Sequence, residues 1–594
     1  MSLHRRSVWQ AGVFMALSVS ATAGTTTRVS VRTSGSQGSK ASFNATISAD
    51  GRYVAFGSDA KDLVSGDTNG NTDVFVRDLS AGTTTRISVA PNGTQGNGDS
   101  GNPRISPDGR FVAFVSDASN LVPGDTNGSN DIFVRDLSAG TTTRVSVDSG
   151  GVQGNGHSYA PCMSSDGRFV AFHSDASNLV LGDTNGALDV FVHDSTSGAT
   201  FRASVDSAGV EGNGFSVNPS ISGDGRYIAF ESLASNLVPG DTNKSVDVFV
   251  YDAVSSTIQC ASISSLGTLG DGNSLEASIS AEGRWVAFAS AATNLIHGDS
   301  NAHDDIFVRD LAGGVTTRVS IGAAGVEADG NSTWPVISID GRFVAFESHA
   351  TNLVAADTNG TKDVFLHDRW VDATTRLSVD SSDVEGNGAS LGVWITADGR
   401  KAVFESAATN LVAGDTNGCD DVFLRDRGDG SEFVSYCFGD GTGPACPCAN
   451  SGAPGHGCEN SSTTGGAVLT VVGAASLALD TVQFTSSGEK PTALSIVLQG
   501  TTSVAAVHFG DGLRCASGLL KRLYVANAVG GVVTAPQGSD LSVSARSAAL
   551  GDVISLGATR VYHAYYRDAD ATFCASPAGS TYNVSNAIAV AWGP

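Results

Sequence analysis

The sequence predicts an all-β chain: a seven-bladed β-propeller of 58-residue repeats, followed by a small disulfide-containing β-sandwich-like domain. Three observations carry that expectation. Asp-Gly-Arg recurs at Asp50, Asp108, Asp166, Asp224, Asp340 and Asp398, and Glu-Gly-Arg at Glu282 completes a series with a 58-residue spacing. Asp-Thr-Asn-Gly or a close variant begins at Asp67, Asp125, Asp183, Asp241, Asp299, Asp357 and Asp415, with the same spacing. No segment keeps a helical period over ten residues. Repeats of this size stack, because one unit cannot bury its apolar faces alone.

The chain opens with a leader. His4-Arg5-Arg6, the apolar run Val8–Val19 and Ala21-Thr22-Ala23 read as a secretory signal over residues 1–23. The run is broken by Gln10 and is too short to span a membrane. The mature chain is therefore expected to be secreted, extracellular or periplasmic. Thr25–Val31 is then a fourth-strand sequence with no blade before it, whereas the fourth strand expected after Asp426 has decayed to Glu432–Ser435. The expectation is that Thr25–Val31 supplies the outer strand of blade seven and removes an exposed edge. Closure by Glu432–Ser435 is the alternative.

Within the second repeat, Pro103–Ser106 is a short extended segment and Pro107-Asp108-Gly109 a tight turn. Arg110–Val115 is apolar on both alternating faces, so both faces must be covered. Asp131–Arg135 and Thr141–Val147, rich in β-branched residues, complete four antiparallel strands, the content of a propeller blade. The short connections lie between strands one and two and between three and four. Both long loops of every blade consequently crowd one face, where function usually resides. Gly96-Asn97-Gly98-Asp99-Ser100 and its counterparts belong to that face and read first as turns between blades.

The run Pro-x-Ile-Ser-x-Asp-Gly-Arg-Phe-Val-Ala-Phe, followed by Asp-Ile/Val-Phe-Val-x-Asp-Leu, resembles the WD40-like (PD40) repeat of TolB-type propellers over about residues 25–430. The resemblance implies the fold and little about activity. Peptidases that carry similar propellers add an α/β-hydrolase domain, which the repeat itself does not supply.

Residues 24–433 are accordingly assigned to the propeller and 434–594 to a Cys-rich β domain. Short strands are expected there at Ala467–Val472, Leu494–Leu498, Leu541–Ala545, Val561–Tyr566 and Ala587–Trp592. Six of nine cysteines, Cys437, Cys446, Cys448, Cys458, Cys515 and Cys574, fall in this region. Export and the one-residue gap in Cys446-Pro-Cys448 favour disulfides over zinc, with the connectivity open. Cys162, Cys260 and Cys419 occupy unrelated repeat positions and are read as unpaired. Cys437-Phe-Gly-Asp-Gly, Cys-Pro-Cys and Gly510–Cys515 make this domain similar to one in secreted planctomycete-type bacterial proteins. That likeness implies location only.

Sixty acidic residues against 35 basic ones give a net charge of −25, which argues against nucleic acid and anionic membrane surfaces as partners and favours cations. The loops offer candidate Ca²⁺ ligands: Asp67, Asn69 and Asp73; Asp125, Asn127 and Asp131; Asp183, Asn185 and Asp189; Asp357, Asn359 and Asp363; Asp415, Asn417 and Asp421. Their spacing resembles shortened loops of integrin-type propellers. The competing reading is that Asp and Asn simply hydrogen-bond their own turns. A variable second-strand position, Gly57, Val115, His173, Glu231, Ala289, Glu347 and Glu405, carries acid/base side chains, but nothing in the sequence makes them converge.

Chemistry repeated seven times suits a scaffold better than a single catalytic centre. The sequence thus points to an exported, non-catalytic binding or scaffold protein with a protein or glycan partner of the envelope or exterior. The alternative is a secreted propeller hydrolase acting on polysaccharide.

Overall fold

The computed structural model of the chain describes residues 24–369, 372–427, 433–436 and, with short breaks, 457–592. The expected leader and Cys437, Cys446, Cys448 and Cys574 lie outside the described residues. Seven four-stranded antiparallel sheets lie between Thr25 and Asp426. In blade two they are Ser100–Ile105, Phe111–Ser116, Asp131–Asp136 and Thr141–Arg144, from the axis outward.

The second strand explains why the blades must stack. Val112, Ala113 and Phe114 are fully buried, and Phe114 stacks on Phe133 of the third strand at 5.8 Å. The cluster around Phe114 also contains Ala55 and Val74 of blade one, so each core is shared by two sheets. Burying one such side chain is worth about 2–3 kcal/mol. The turn is tuned to the same contact. Gly109 has φ 72°, and a Cβ there would sit 2.5 Å from the ring of Tyr53 in the preceding blade. Arg110 closes the turn by donating to Asp136 at 2.8 Å.

Blade seven joins the two ends of the propeller. Thr25–Arg28 pairs antiparallel with Asp421–Asp426, Thr25 lying opposite Asp426 and Arg28 opposite Phe423. Val29 is fully buried, and the Ser30 hydroxyl donates to Asp421 at 2.7 Å. Phe433–Tyr436 lies elsewhere, paired with Ala587–Val590. The N-terminal segment therefore closes the ring. It retains the Arg-Val-Ser set that the third strand requires, which Phe433–Tyr436 lacks.

The C-terminal region contains a five-stranded sheet in the order Phe433–Tyr436, Tyr582–Ala591, Thr559–Arg567, Leu494–Gly500, Lys521–Asn527. A three-stranded sheet (Val468–Val472, Gln483–Ser487, Val533–Ala535) shares its core: Leu469, Phe484, Val497, Tyr562 and Trp592 belong to one buried cluster. Four of the five expected strands are present. Leu541–Ala545 is not a strand, because Val543–Ala549 forms a helix instead. Ser542 sits at its N-cap, Val543 and Ser547 bury one face at a four-residue spacing, and the alanines favour the helix.

Candidate functional site

The loop residues singled out in the sequence do come together, around an arginine. In blade one, Arg86 Nη1 lies 3.1 Å from Asp67 and 3.2 Å from the fully buried Asp73. Asn69 turns its amide nitrogen, not its oxygen, to Asp73 at 3.0 Å, while its oxygen accepts from the Asn71 N–H at 3.1 Å. Arg144 plays the same part between Asp125 and Asp131, with Asn127 on Asp131. Arg202 does so between Asp183 and Asp189, with Asn185 on Asp189. Arg376 joins Asp357 to Asp363, with Asn359 on Asp363, and Arg28 joins Asp415 to Asp421, with Asn417 on Asp421. Arg318 serves Asp299 and Asp305 in blade five.

Among the described residues, one trio of acidic side chains has the closeness a metal needs: Asp183, Asp189 and Glu211. Arg202 already sits in it, 2.8 Å from Glu211. Burial, with the Asp189 charge second, pushes Asp183 up to about 6. Blade four departs from the pattern. Cys260 stands at the arginine position, opposite Phe249 as Arg86 stands opposite Phe75, and Leu269 joins it in an apolar cluster. Asp241 keeps no arginine, and burial followed by the Asp247 charge raises its carboxyl above the usual range.

The asymmetric chemistry lies on the axis. Each innermost strand breaks register midway, where Asn44, Asn102, Ala160, Asn218, Glu276, Trp334 and Gly392 take φ between 48° and 64°. This irregularity points a backbone N–H at the neighbouring blade. The variable second-strand residue accepts it: Glu405 from Asn44 at 2.7 Å, Glu347 from Gly392 at 2.6 Å and His173 from Asn218 at 3.2 Å. Ala289 cannot accept, and Glu276 takes the Trp334 N–H in its place. Four glutamates from consecutive blades four to seven are thereby drawn to one arc of the axis. Asn44, Asn102 and Ala160 hold the opposite arc. Between them opens a cavity of about 460 Å³, with Glu276, Glu347, Glu405, Lys362, Arg104 and Trp394 in its wall.

The acidic arc is poorly neutralised. Lys362 reaches Glu347 at 3.0 Å. Burial raises Glu231 and Glu405, and burial followed by the charges of Glu231 and Glu347 pushes Glu276 up to about 7. Burial also lowers His173 to about 4, leaving a neutral acceptor. The convergence of Glu231, Glu347 and Glu405 was not expected from the sequence, and Glu276, Arg104, Lys362 and Trp394 were not singled out there. The available signal was variation at two positions, one on the first strand and one on the second, of an otherwise uniform repeat.

Of the six C-terminal cysteines, Cys458 is buried and Cys515 lies in the strand Gly512–Ser517. Cys162, Cys260 and Cys419 are free thiols, as expected. Among the described residues no helix is long and apolar enough to cross a membrane.

No protein-family model matches the sequence, and no curated protein matches it. Solved structures similar to it include an oligogalacturonate lyase in complex with manganese (13% identity, 68% of this chain, 92% of that chain, TM-score 0.42). The propeller domain of the Trilobed protease from Pyrococcus furiosus aligns at 12% identity over 66% of this chain and 97% of that one, TM-score 0.40. A putative TolB from Agrobacterium tumefaciens aligns at 17% over 47% and 80%, TM-score 0.30. These neighbours are propeller proteins of differing function, and no activity is carried from them to this chain.

Proposed function

We propose that the chain is an exported, non-catalytic binding protein whose recognition site is the axial cavity rather than its repeated loops. One observation carries this reading: Glu276, Glu347 and Glu405, from three consecutive blades, line a single cavity in which Lys362 pairs with Glu347 and the other cation, Arg104, pairs with no carboxylate among the described residues. Carboxylates held away from water without counter-ions are costly, and an incoming cation relieves that cost. The cavity volume suits a small ligand or the end of a larger one. An ammonium-bearing group fits this chemistry, as on a peptide or amino sugar of the envelope or exterior. In the loops, a Ca²⁺ ion would have to displace a guanidinium in six blades, so we assign the loop carboxylates' main neutralising charge to arginine.

The same cluster favours a second reading, hydrolysis of polysaccharide. Glu276 holds its proton up to about pH 7, as a general acid would. The test is calorimetric titration of the mature chain at pH 7.5 with triglycine amide, a singly charged cation, alongside a glycan-hydrolysis panel. Saturable binding of the amide, lost in the Glu276→Gln/Glu405→Gln double variant, supports the binding reading. No saturable binding, or binding unchanged in that variant, overturns it. Glycan cleavage abolished by Glu276→Gln would establish the hydrolase instead.

A further inference from the structure

Two residues below each inner-strand irregularity, toward the Asp-Gly-Arg turns, a second ring of side chains faces the axis. Six of its seven positions are uncharged, Thr46, Cys162 and Trp394 among them, and the seventh is Arg104 of blade two. Arg104 lines both the 460 Å³ cavity and the smaller apolar space beneath it. It crosses blade one to lie 4.7 Å over the ring of Trp394 in blade seven. Its one hydrogen bond among the described residues is a long 3.4 Å contact to the carbonyl of Pro103, and no carboxylate there pairs with it. Every loop arginine, by contrast, is held by at least two acids. A guanidinium stacked on an aromatic face keeps its in-plane donors free, in the fork geometry that matches a carboxylate. Burial lowers its proton affinity to about 10, so it remains charged at neutral pH.

We propose that Arg104, presented by Trp394, is an anion subsite, so that the axial cavity takes a zwitterionic ligand with its ammonium among the glutamates and its carboxylate on Arg104. The inference rests on the proposed axial site and deepens it. Spacing sets the size of the ligand. Two residues along a strand put Arg104 about 7 Å deeper than Glu276, and a peptide extends by at most ~3.3–3.6 Å per residue. A dipeptide or tripeptide spans that separation, with its N-terminus toward the loop-rich mouth.

The experiment compares triglycine with triglycine amide by calorimetry on the mature chain, its Arg104→Gln variant and its Arg104→Lys variant. In an acidic cavity without an anion subsite, the amide, with its net positive charge, binds more tightly than the zwitterion. The expected result is that the unaltered chain prefers triglycine at least tenfold. Arg104→Gln should invert that order, and Arg104→Lys should keep a weaker preference for the free acid, showing that the variants' effect is one of charge and not of folding. Equal or tighter binding of the amide by the unaltered chain overturns the anion subsite while leaving the cation site standing. Failure of both peptides to bind overturns both readings.

Discussion

Replacing Glu276 by Gln should make the propeller more stable at pH 8 and leave it unchanged near pH 5. The side chain accepts the Trp334 N–H, and a glutamine oxygen preserves that bond while removing the charge. Burial and two like-charged neighbours raise Glu276 from its usual 4.5 to about 7. The sign follows from proton linkage. Between those two values the folded chain holds a proton that the unfolded chain has released, so stability falls as pH rises through this window. Above about pH 7 the full cost is present, and below the unfolded value it is absent. Each tenfold change in proton affinity is worth about 1.4 kcal/mol, which gives a ceiling of about 3 kcal/mol. The variant should recover about 1–3 kcal/mol at pH 8. Unfolding entropy of about 2 cal/mol/K per residue over roughly 400 residues turns this into a Tm gain of about 1–4 °C. Scanning calorimetry of both chains at pH 5 and pH 8 reads it directly. A Tm difference that is the same at both pH values, or a loss at pH 8, would refute the reasoning.

Deleting residues 24–32 removes the outer strand of blade seven and takes Arg28 from between Asp415 and Asp421. Breaking a buried pair of this kind costs about 3–5 kcal/mol, so thermal unfolding should shift down by several degrees, and an unchanged melt would contradict the closure. Cys260→Arg restores to blade four the guanidinium its siblings carry beside their paired aspartates. A gain of about 1–2 kcal/mol in chemical denaturation is expected, whereas a loss would show that the apolar contact with Leu269 is worth more. Because arginine fills six loops, melting curves in chelator and in millimolar Ca²⁺ should coincide. Stoichiometric retained Ca²⁺ with a chelator-induced fall in Tm would instead show that metal displaces the guanidinium.

The ring was legible in the sequence because its causes are local and repeated. A Pro-Asp-Gly turn, a strand apolar on both faces and a stray Thr-Thr-Thr-Arg segment each state a requirement that only neighbouring blades can meet. The axial site was not legible for the opposite reason. Glu231, Glu276, Glu347 and Glu405 are 45, 71 and 58 residues apart in turn and sit at two different repeat positions. They meet through inner-strand irregularities with positive φ at residues as unlike as Asn44, Glu276 and Trp334. The aspartates and asparagines of the loops were legible from their repeated spacing. The arginine beside them was not singled out, because it lies on the next strand, 13 residues beyond the second aspartate, and reads there as ordinary outer-strand polarity. The helix Val543–Ala549 was missed because its seven residues are too few to show a period.

The most direct test of the axial site is a crystal structure of the mature chain soaked with triglycine amide. The prediction is density for the peptide in the axial cavity, its ammonium within hydrogen-bond reach of Glu276 or Glu405. Density confined to the Asp-Thr-Asn-Gly loops or the outer rim, with the axial cavity holding only solvent, would contradict it.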